Sequence, residues 1–199
     1  MTTRTNREHD AGEHLQSPQL LQVPASSITL IANHGVQGDC HAGTTVQHQS
    51  RLHIRPAPAN LRQVHLMPIE ILQQVSSGVS GDDRRRLLAP GALGQNITTE
   101  GVDLLGLPVG TELRFVNDVD GEGREDGSIL VLTGLRNPCA QINKFCPGLQ
   151  ERFLVRDTKR EITRRLAGVM STVRVGGEVR AGMRIVVIRP ERHVPLGPV

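Results

Sequence analysis

Short apolar runs, separated by glycine, proline and charged residues, make up most of the chain. Aliphatic and β-branched runs predict strands at residues 28–31, 63–67, 129–133, 169–175 and 183–188. A helix is predicted over 69–75, because Pro68 at its start sacrifices no intrahelical hydrogen bond. A second, short helix is predicted from Cys139 to Phe145, after a turn.

Other segments have the composition of loops and short strands. Residues 76–86, rich in glycine and charge, are predicted to form an exposed connection with three solvated arginines. Residues 117–128 predict an acidic hairpin loop, and a glycine-rich turn is predicted between the last two strands. Residues 90–116 alternate short apolar runs with Gly and Pro, which is typical of a small barrel or sandwich. Together these elements predict a mostly β fold, a distorted barrel with short helices around it.

The length and termini predict a single domain. At 199 residues the chain is long enough for one sizeable core and too short for two. We predict a polar, partly disordered leader at 1–27, a folded domain at 28–190 and a tail at 191–199. No apolar stretch approaches the roughly 20 residues that span a bilayer, and the N-terminus lacks the layout of a secretory signal. We therefore expect a cytoplasmic protein without a membrane partner.

Composition narrows the chemistry. The chain has no Trp, no Tyr and only three Phe, so its core must be aliphatic. Three cysteines, an odd number, favour free thiols in a reducing compartment over a disulfide framework. Apart from Lys144 and Lys159, all positive charge at pH 7 comes from arginine, whose rigid donor fork suits oxyanions. The basic residues are spread along the chain and aromatics are few, which argues against nucleic-acid binding.

Cys139 is the strongest candidate for a reactive atom. Pro138 precedes it at the predicted strand-to-helix junction, where unsatisfied backbone N–H groups favour a negative sulfur. Arg136 would add a cation that favours the thiolate, a form that attacks electrophiles and ligates soft metals. The alternative is that Cys139 is a small buried hydrophobe, as most unpaired cysteines are. Cys40 and Cys146 are interpreted as structural.

Two polar groups offer further candidates. The first contains His41, His48 and His53, with Arg51 and Arg55 close by and His65 on the next strand. Neutral imidazoles could bind a metal, whereas protonated ones could hold an oxyanion together with the arginines. The spacing matches no closed zinc motif, and scattered surface histidines are the alternative. The second is the NIT turn at 96–98, whose amide and hydroxyl can hydrogen-bond a polar ligand.

Several ordered blocks together resemble the MOSC domain, which is named after the C-terminal domain of molybdenum-cofactor sulfurases. The blocks are GVQGDCHAG (35–43), HQSR (48–51), NLRQVHLM (60–67), PGALGQNITTEGVDLLGLPVGTELRF (90–115), LTGLRNPCAQI (132–142), AGVM (167–170) and VGGEVRAGM (175–183). The resemblance extends from about residue 28 to 189. One departure is Gln95, where the family pattern has Glu, and this removes a possible charge.

The resemblance implies a MOSC-type β-barrel whose pocket binds molybdenum cofactor (molybdopterin) or carries sulfur. The family's cysteine falls on Cys139, which would coordinate molybdenum or hold a persulfide. By matching motif positions, the residues in or beside the pocket would be His41, Arg51, Arg62, Asn96, Thr98, Arg136 and Asn137. Pyridoxal phosphate is not expected, because it needs a Schiff-base lysine and neither Lys144 nor Lys159 lies in such a context.

The resemblance implies an enzyme, either a molybdenum-dependent oxidoreductase that reduces N-hydroxylated or similar N–O compounds, or a sulfur transferase. Such an enzyme would act on a small molecule and draw electrons or sulfur from a separate donor protein. One alternative is a non-catalytic module that carries cofactor or persulfide. Another is a thiol- or zinc-dependent enzyme on the same barrel, with His41, His48 and Cys139 around the metal.

Overall fold

The computed structural model of the protein describes residues 2–5, 21–47, 52–79, 81–116, 127–144 and 146–199. Its strands are β1 (Thr2–Thr5), β2 (Leu21–Pro24), β3 (Ser27–Ile31), β4 (Gly35–Val36), β5 (Val64–Pro68), β6 (Ile97–Thr99), β7 (Glu112–Val116), β8 (Ile129–Leu135), β9 (Leu154–Arg156), β10 (Ile162–Arg165), β11 (Val169–Val175), β12 (Gly177–Arg180) and β13 (Arg184–Ile188). Its helices are α1 (Ile69–Ser76), α2 (Gly81–Leu88) and α3 (Leu149–Arg152), with 3₁₀ helices at Leu104–Gly106 and Ala140–Lys144. The predicted mostly β fold with short helices is confirmed.

The strands form one large sheet and three small ones. The large sheet has six strands in the order β13-β7-β8-β11-β5-β6. Its neighbouring strands are antiparallel except β5 and β6, which run parallel. Because β11 pairs with both β5 and β8, the loops attached to these three strands lie near one another. A three-stranded sheet, β12-β3-β4, and the two-stranded pairs β1-β2 and β9-β10 complete the architecture.

Buried and half-exposed residues alternate along the strands of the large sheet, and the buried ones form its core. In β8, Leu130 and Leu132 are fully buried while their neighbours are half-exposed, which is the period of two expected for a strand with one face inward. Leu113 and Phe115 of β7 and Val169 of β11 bury the same face. The cluster is almost entirely aliphatic, as the scarcity of aromatic residues requires.

A second core cluster lies beneath the helices. Pro68, the last residue of β5, is the N-cap of α1 with φ −64° and ψ 133°. Leu72 and Val75, three positions apart on the helix, are buried. They pack with Leu87 of α2 and with Phe153, which follows α3 and is fully buried. This cluster fixes α3 against the body of the fold. The predicted strand and helix at 63–75 are therefore confirmed.

Three local predictions need correction. The second half of the supposed connection at 76–86 belongs to helix α2 (Gly81–Leu88), because Asp82 and Asp83 in its first turn and arginines in its last turn complement the helix dipole. The buried Leu87 anchors this helix, although its arginines are exposed as predicted. The supposed turn between the last two strands contains strand β12. The helix predicted at 139–145 is a five-residue 3₁₀ helix that begins after Cys139, and Phe145 lies outside the described residues.

Described residues near both ends of the chain make backbone hydrogen bonds. Strand β1 pairs with β2, while the rest of the predicted leader, from residue 6 to 20, lies outside the described residues, as does 117–126 of the predicted acidic loop. At the other end, Leu135 donates its N–H to the Gly197 carbonyl at 2.7 Å and accepts from Val199 at 3.2 Å. The tail is thus bonded to the end of β8. No helix in the described ranges is long and apolar enough to cross a membrane.

Candidate functional site

One row of paired residues across the large sheet determines where the site forms. Leu135 of β8 pairs with Val169 of β11, Val169 pairs with Leu66 of β5, and Leu66 pairs with Ile97 of β6. The segments after β8 and before β11 therefore leave the sheet together, and β6 begins at the same row. The sequence blocks around 60–67, 90–99, 132–142 and 167–170 come together for this reason.

A cavity of about 120 Å³ lies where these segments meet. Its wall contains polar side chains from four segments: the loop after β4, the segment before β5, the turn before β6 and the loop after β8. Its lining consists of Asp39, His41, Val46, Gln47, Asn60, Arg62, His65, Asn96, Arg136, Asn137, Cys139, Gln141 and Met170. The wall thus combines one thiol, two guanidinium groups and several amides.

Most of the residues that the sequence assigns to the site line this cavity. They are His41, Arg62, Asn96, Arg136, Asn137 and Cys139. Thr98 is not in the lining, and its Oγ1 instead lies 3.4 Å from the Gln95 side-chain amide. Arg51 and His48 lie outside the described residues. His53 is exposed and does not line the cavity.

Asp39 is a site residue that was not predicted from the sequence. Its side chain is 2% exposed, and its Oδ2 accepts a hydrogen bond from Asn96 Nδ2 at 2.6 Å. Asn96 Oδ1 in turn accepts from the His65 backbone N–H at 2.9 Å. Asp39 Oδ1 accepts from the His41 backbone N–H at 2.7 Å, so this buried carboxylate fixes His41 at the cavity wall. The local signal was an Asp two residues before a His, a spacing at which side chain and backbone bond to each other.

His41 lies among potential metal ligands. Its Nδ1 is 3.3 Å from Asp39 Oδ1 and 3.2 Å from Cys40 Sγ. Within the described ranges, Asp39, Cys40 and His41 are the residues that bring three such donor atoms within 4.8 Å of one another. Cys139 does not belong to this group.

His65 has a structural position. It is 3% exposed, and its ring nitrogens face two backbone carbonyls, with Nε2 at 2.8 Å from Ala167 O and Nδ1 at 3.3 Å from Gly94 O. These contacts tie β5 to the segments before β6 and β11. Gly168 comes directly after Ala167 and has φ +90°. A Cβ at Gly168 would lie 2.6 Å from His65 Nε2. Only glycine fits this close approach.

The loop that carries Cys139 is held on both sides of the cysteine. Arg136 donates its N–H to the Gly168 carbonyl at 2.9 Å and its Nη1 to the Leu93 carbonyl at 2.7 Å. After the cysteine, Ile142 donates its N–H to the Cys139 carbonyl at 3.1 Å. The Cys139 residue itself is exposed. The loop therefore presents a free cysteine on a fixed backbone.

Gln150 of α3 is a further support that the sequence did not reveal. Its Nε2 donates to the Pro138 carbonyl at 2.9 Å, directly before Cys139. Its backbone N–H donates to Asn143 Oδ1 at 2.8 Å, and its Oε1 accepts from Asn143 Nδ2 at 3.3 Å. Gln150 thus bonds to the loop both before and after the cysteine.

We expect Gln150→Ala to lower the free energy of unfolding by about 1–2 kcal/mol, because two side-chain hydrogen bonds are lost. Denaturant unfolding measures this. Gln73→Ala is the matched control, since Gln73 is exposed on α1, and it should change the value by less than about 0.5 kcal/mol. Equal effects of the two substitutions would contradict the role of Gln150 in holding the loop.

The comparisons with known proteins identify the family. A family model for the MOSC domain matches residues 41–186. The chain belongs to the MOSC family. Among solved structures, it resembles YiiM from Escherichia coli with a TM-score of 0.56 and 18% identity, covering 89% of this chain and 69% of that one. It also resembles the YuaD protein from Bacillus subtilis with a TM-score of 0.57 and 20% identity, covering 96% and 98%. No curated protein matches the sequence.

MOSC membership confirms the resemblance drawn from the sequence blocks and agrees with the mostly β fold. At 18–20% identity, the likeness to YiiM and YuaD establishes the fold alone. MOSC domains are associated in general with binding of molybdenum cofactor. The chemistry of this MOSC protein therefore has to be argued from its own cavity.

Proposed function

We propose that this MOSC protein binds molybdenum cofactor through Cys139 and reduces N-hydroxylated or similar N–O compounds. The observation that carries the proposal is an exposed cysteine on a fixed loop, lining a cavity whose wall also holds Arg62 and Arg136. A thiolate is a soft metal ligand, and guanidinium groups bind phosphate and oxo groups through paired hydrogen bonds.

The thiol and guanidinium groups in the cavity wall are of the chemical types that molybdenum cofactor requires. Cys139 would supply the sulfur ligand to molybdenum, and Arg62 and Arg136 would hold the negatively charged oxygens. The cavity volume of about 120 Å³ is smaller than the roughly 300–1,000 Å³ of sites that enclose a drug-sized ligand. The cavity would therefore hold only part of the cofactor, and the rest would extend beyond it.

The other residues of the site would position neighbouring side chains or contact the ligand. Both polar atoms of the Asn96 side chain are engaged, because Nδ2 donates to Asp39 and Oδ1 accepts from the His65 backbone N–H. Asn96 would therefore position Asp39 and His41 and not bind the ligand itself. His41, held by Asp39, would face the ligand from the opposite loop. Asn137 lines the cavity two residues before Cys139 and would contact the substrate near the metal.

When bound, the cofactor supplies two-electron removal of an oxygen atom from the N–O bond. The electrons would come from a separate donor protein, and the substrate would be a small molecule. Sulfur transfer is the other chemistry that a thiol in this cavity supports, with a persulfide on Cys139 supplied by a sulfur donor protein. The reductase and the sulfur carrier differ in whether the loaded protein repeatedly converts an N–O substrate.

A turnover assay separates these functions. Protein from a host that makes molybdenum cofactor is supplied with an N-hydroxylated amidine and a chemical electron donor. We expect repeated turnover by the wild type and loss to background in Cys139→Ser, because oxygen is a harder ligand than sulfur. Cys146→Ser, outside the cavity lining, is the control and should keep its activity. Labile sulfur bound near-stoichiometrically to Cys139 without any turnover would contradict the reductase and favour the carrier.

A further inference from the structure

The positive charge of this protein is concentrated in one segment. The whole chain has 23 basic and 20 acidic side chains, a net charge of +3. Residues 149–165, from α3 through β10, contain six basic and three acidic side chains, which is also a net charge of +3. The rest of the chain is therefore electrically neutral overall. The basic residues look evenly spread in the sequence only because acidic residues offset them elsewhere.

The β9–β10 hairpin presents this charge on an exposed surface. Among the described strands, β9 and β10 pair with each other and with no other strand. Asp157 closes the turn by accepting hydrogen bonds from the Lys159 and Glu161 backbone N–H groups at 2.9 and 2.8 Å. Arg156 pairs with Glu151 and holds the pKa of that carboxyl below its ordinary value, so this pair stays internally neutralised. Lys159 and Arg164 are exposed, and neither forms an ion pair with any residue in the described ranges.

The hairpin reaches the rim of the cavity. Arg165 Nε donates to Asn137 Oδ1 at 3.0 Å, and Asn137 lines the cavity. Asn137 is two residues from Cys139, which limits their Cα separation to about 7.6 Å. At an ionic strength of about 0.01 M the Debye length is about 30 Å, which exceeds the span from Arg164 through Arg165 and Asn137 to Cys139. At low salt the charges of the hairpin therefore act on the space in front of Cys139 with little screening.

We propose that the β9–β10 hairpin selects anionic small molecules for the Cys139 cavity. A ligand with a phosphate, carboxylate or sulfonate group is drawn towards the hairpin and meets Arg62 and Arg136 inside. Cationic molecules are repelled along the same path. The inference rests on the proposed function in one respect, that Cys139 is the reactive group. It adds the charge of the small molecules that reach Cys139.

Thiol-modifying reagents that share one reactive group and carry opposite charges test this directly on the full-length protein. In a methanethiosulfonate, the Cys139 thiolate attacks the sulfenyl sulfur, the S–S bond forms, the bond to the sulfonyl sulfur breaks and methanesulfinate leaves. The thiol proton goes to solvent. The anionic reagent carries a 2-sulfonatoethyl group and the cationic one a 2-trimethylammonioethyl group. Tryptic peptide 137–144 contains Cys139 as its single cysteine, so mass spectrometry without reduction follows this residue alone.

The variants are Arg164→Glu on the hairpin and Arg192→Glu, an exposed arginine outside the cavity lining, as the matched control. Each rate is divided by the rate of the same reagent with free cysteine, because a thiolate by itself attracts the cationic reagent. At an ionic strength of about 0.01 M, we expect wild-type Cys139 to favour the anionic reagent on this scale. The ratio of anionic to cationic rates should fall about fivefold in Arg164→Glu and less than about twofold in Arg192→Glu. The difference between the variants should disappear near 1 M salt, where the Debye length is about 3 Å.

Two results would overturn the inference: a wild-type preference for the cationic reagent that exceeds that of free cysteine, or equal changes of the rate ratio in both variants. The reagents need no molybdenum. Failure here would leave cofactor binding by Cys139 intact, and failure of cofactor binding would leave the charge selectivity measurable.

Discussion

Asn96→Ala is expected to lower the free energy of unfolding by about 2–4 kcal/mol. The substitution removes the amide that donates to Asp39 Oδ2 at 2.6 Å and accepts from the His65 backbone N–H at 2.9 Å. Asp39 and His65 are both buried, so each would lose a partner where water does not replace it. One of the two is a carboxylate, for which the loss is larger.

Asn137→Ala is the matched control for this prediction. Asn137 is exposed and accepts one hydrogen bond from Arg165, so its substitution should change stability by less than about 1 kcal/mol. Denaturant unfolding of both variants gives the comparison. If Asn96→Ala were no more destabilising than Asn137→Ala, the buried Asp39–Asn96–His65 network would not hold the site as described.

The same variant tests how the site is positioned. Asp39 also accepts the His41 backbone N–H, so loss of Asn96 should loosen His41 at the cavity wall. The Cys139 loop is held by other contacts, through Arg136 and Gln150, and should keep its place. Asn96→Ala is thus expected to weaken ligand binding while leaving the cysteine in position.

Features with local signals were predictable from the sequence. Pro68 after an apolar run marked the end of β5 and the start of α1. The ordered blocks around Cys139 and Asn96 gave the family and several residues that line the cavity. In these cases the information lies within a few neighbouring positions, where turn chemistry and periodicity act.

Features that depend on distant pairing were not predictable in the same way. Gln150 lies 12 residues from Pro138, whose carbonyl it binds, and Asn96 lies 57 residues from Asp39. Nothing in the residues around Gln150 marks it as a support for a cysteine loop. Helix α2 was missed for another reason, since its charged residues resemble a loop until their order along the helix dipole and the buried Leu87 are considered.

Metal and pterin analysis of wild type and Cys139→Ala tests the central claim most directly. Both proteins come from a host competent for molybdenum-cofactor synthesis, and Cys146→Ala serves as the control because it removes a thiol outside the cavity lining. We predict near-stoichiometric molybdenum and pterin in the wild type and in Cys146→Ala, and loss of both in Cys139→Ala, where the sulfur ligand is missing. Equal molybdenum in all three proteins, or none in the wild type, would contradict cofactor binding through Cys139.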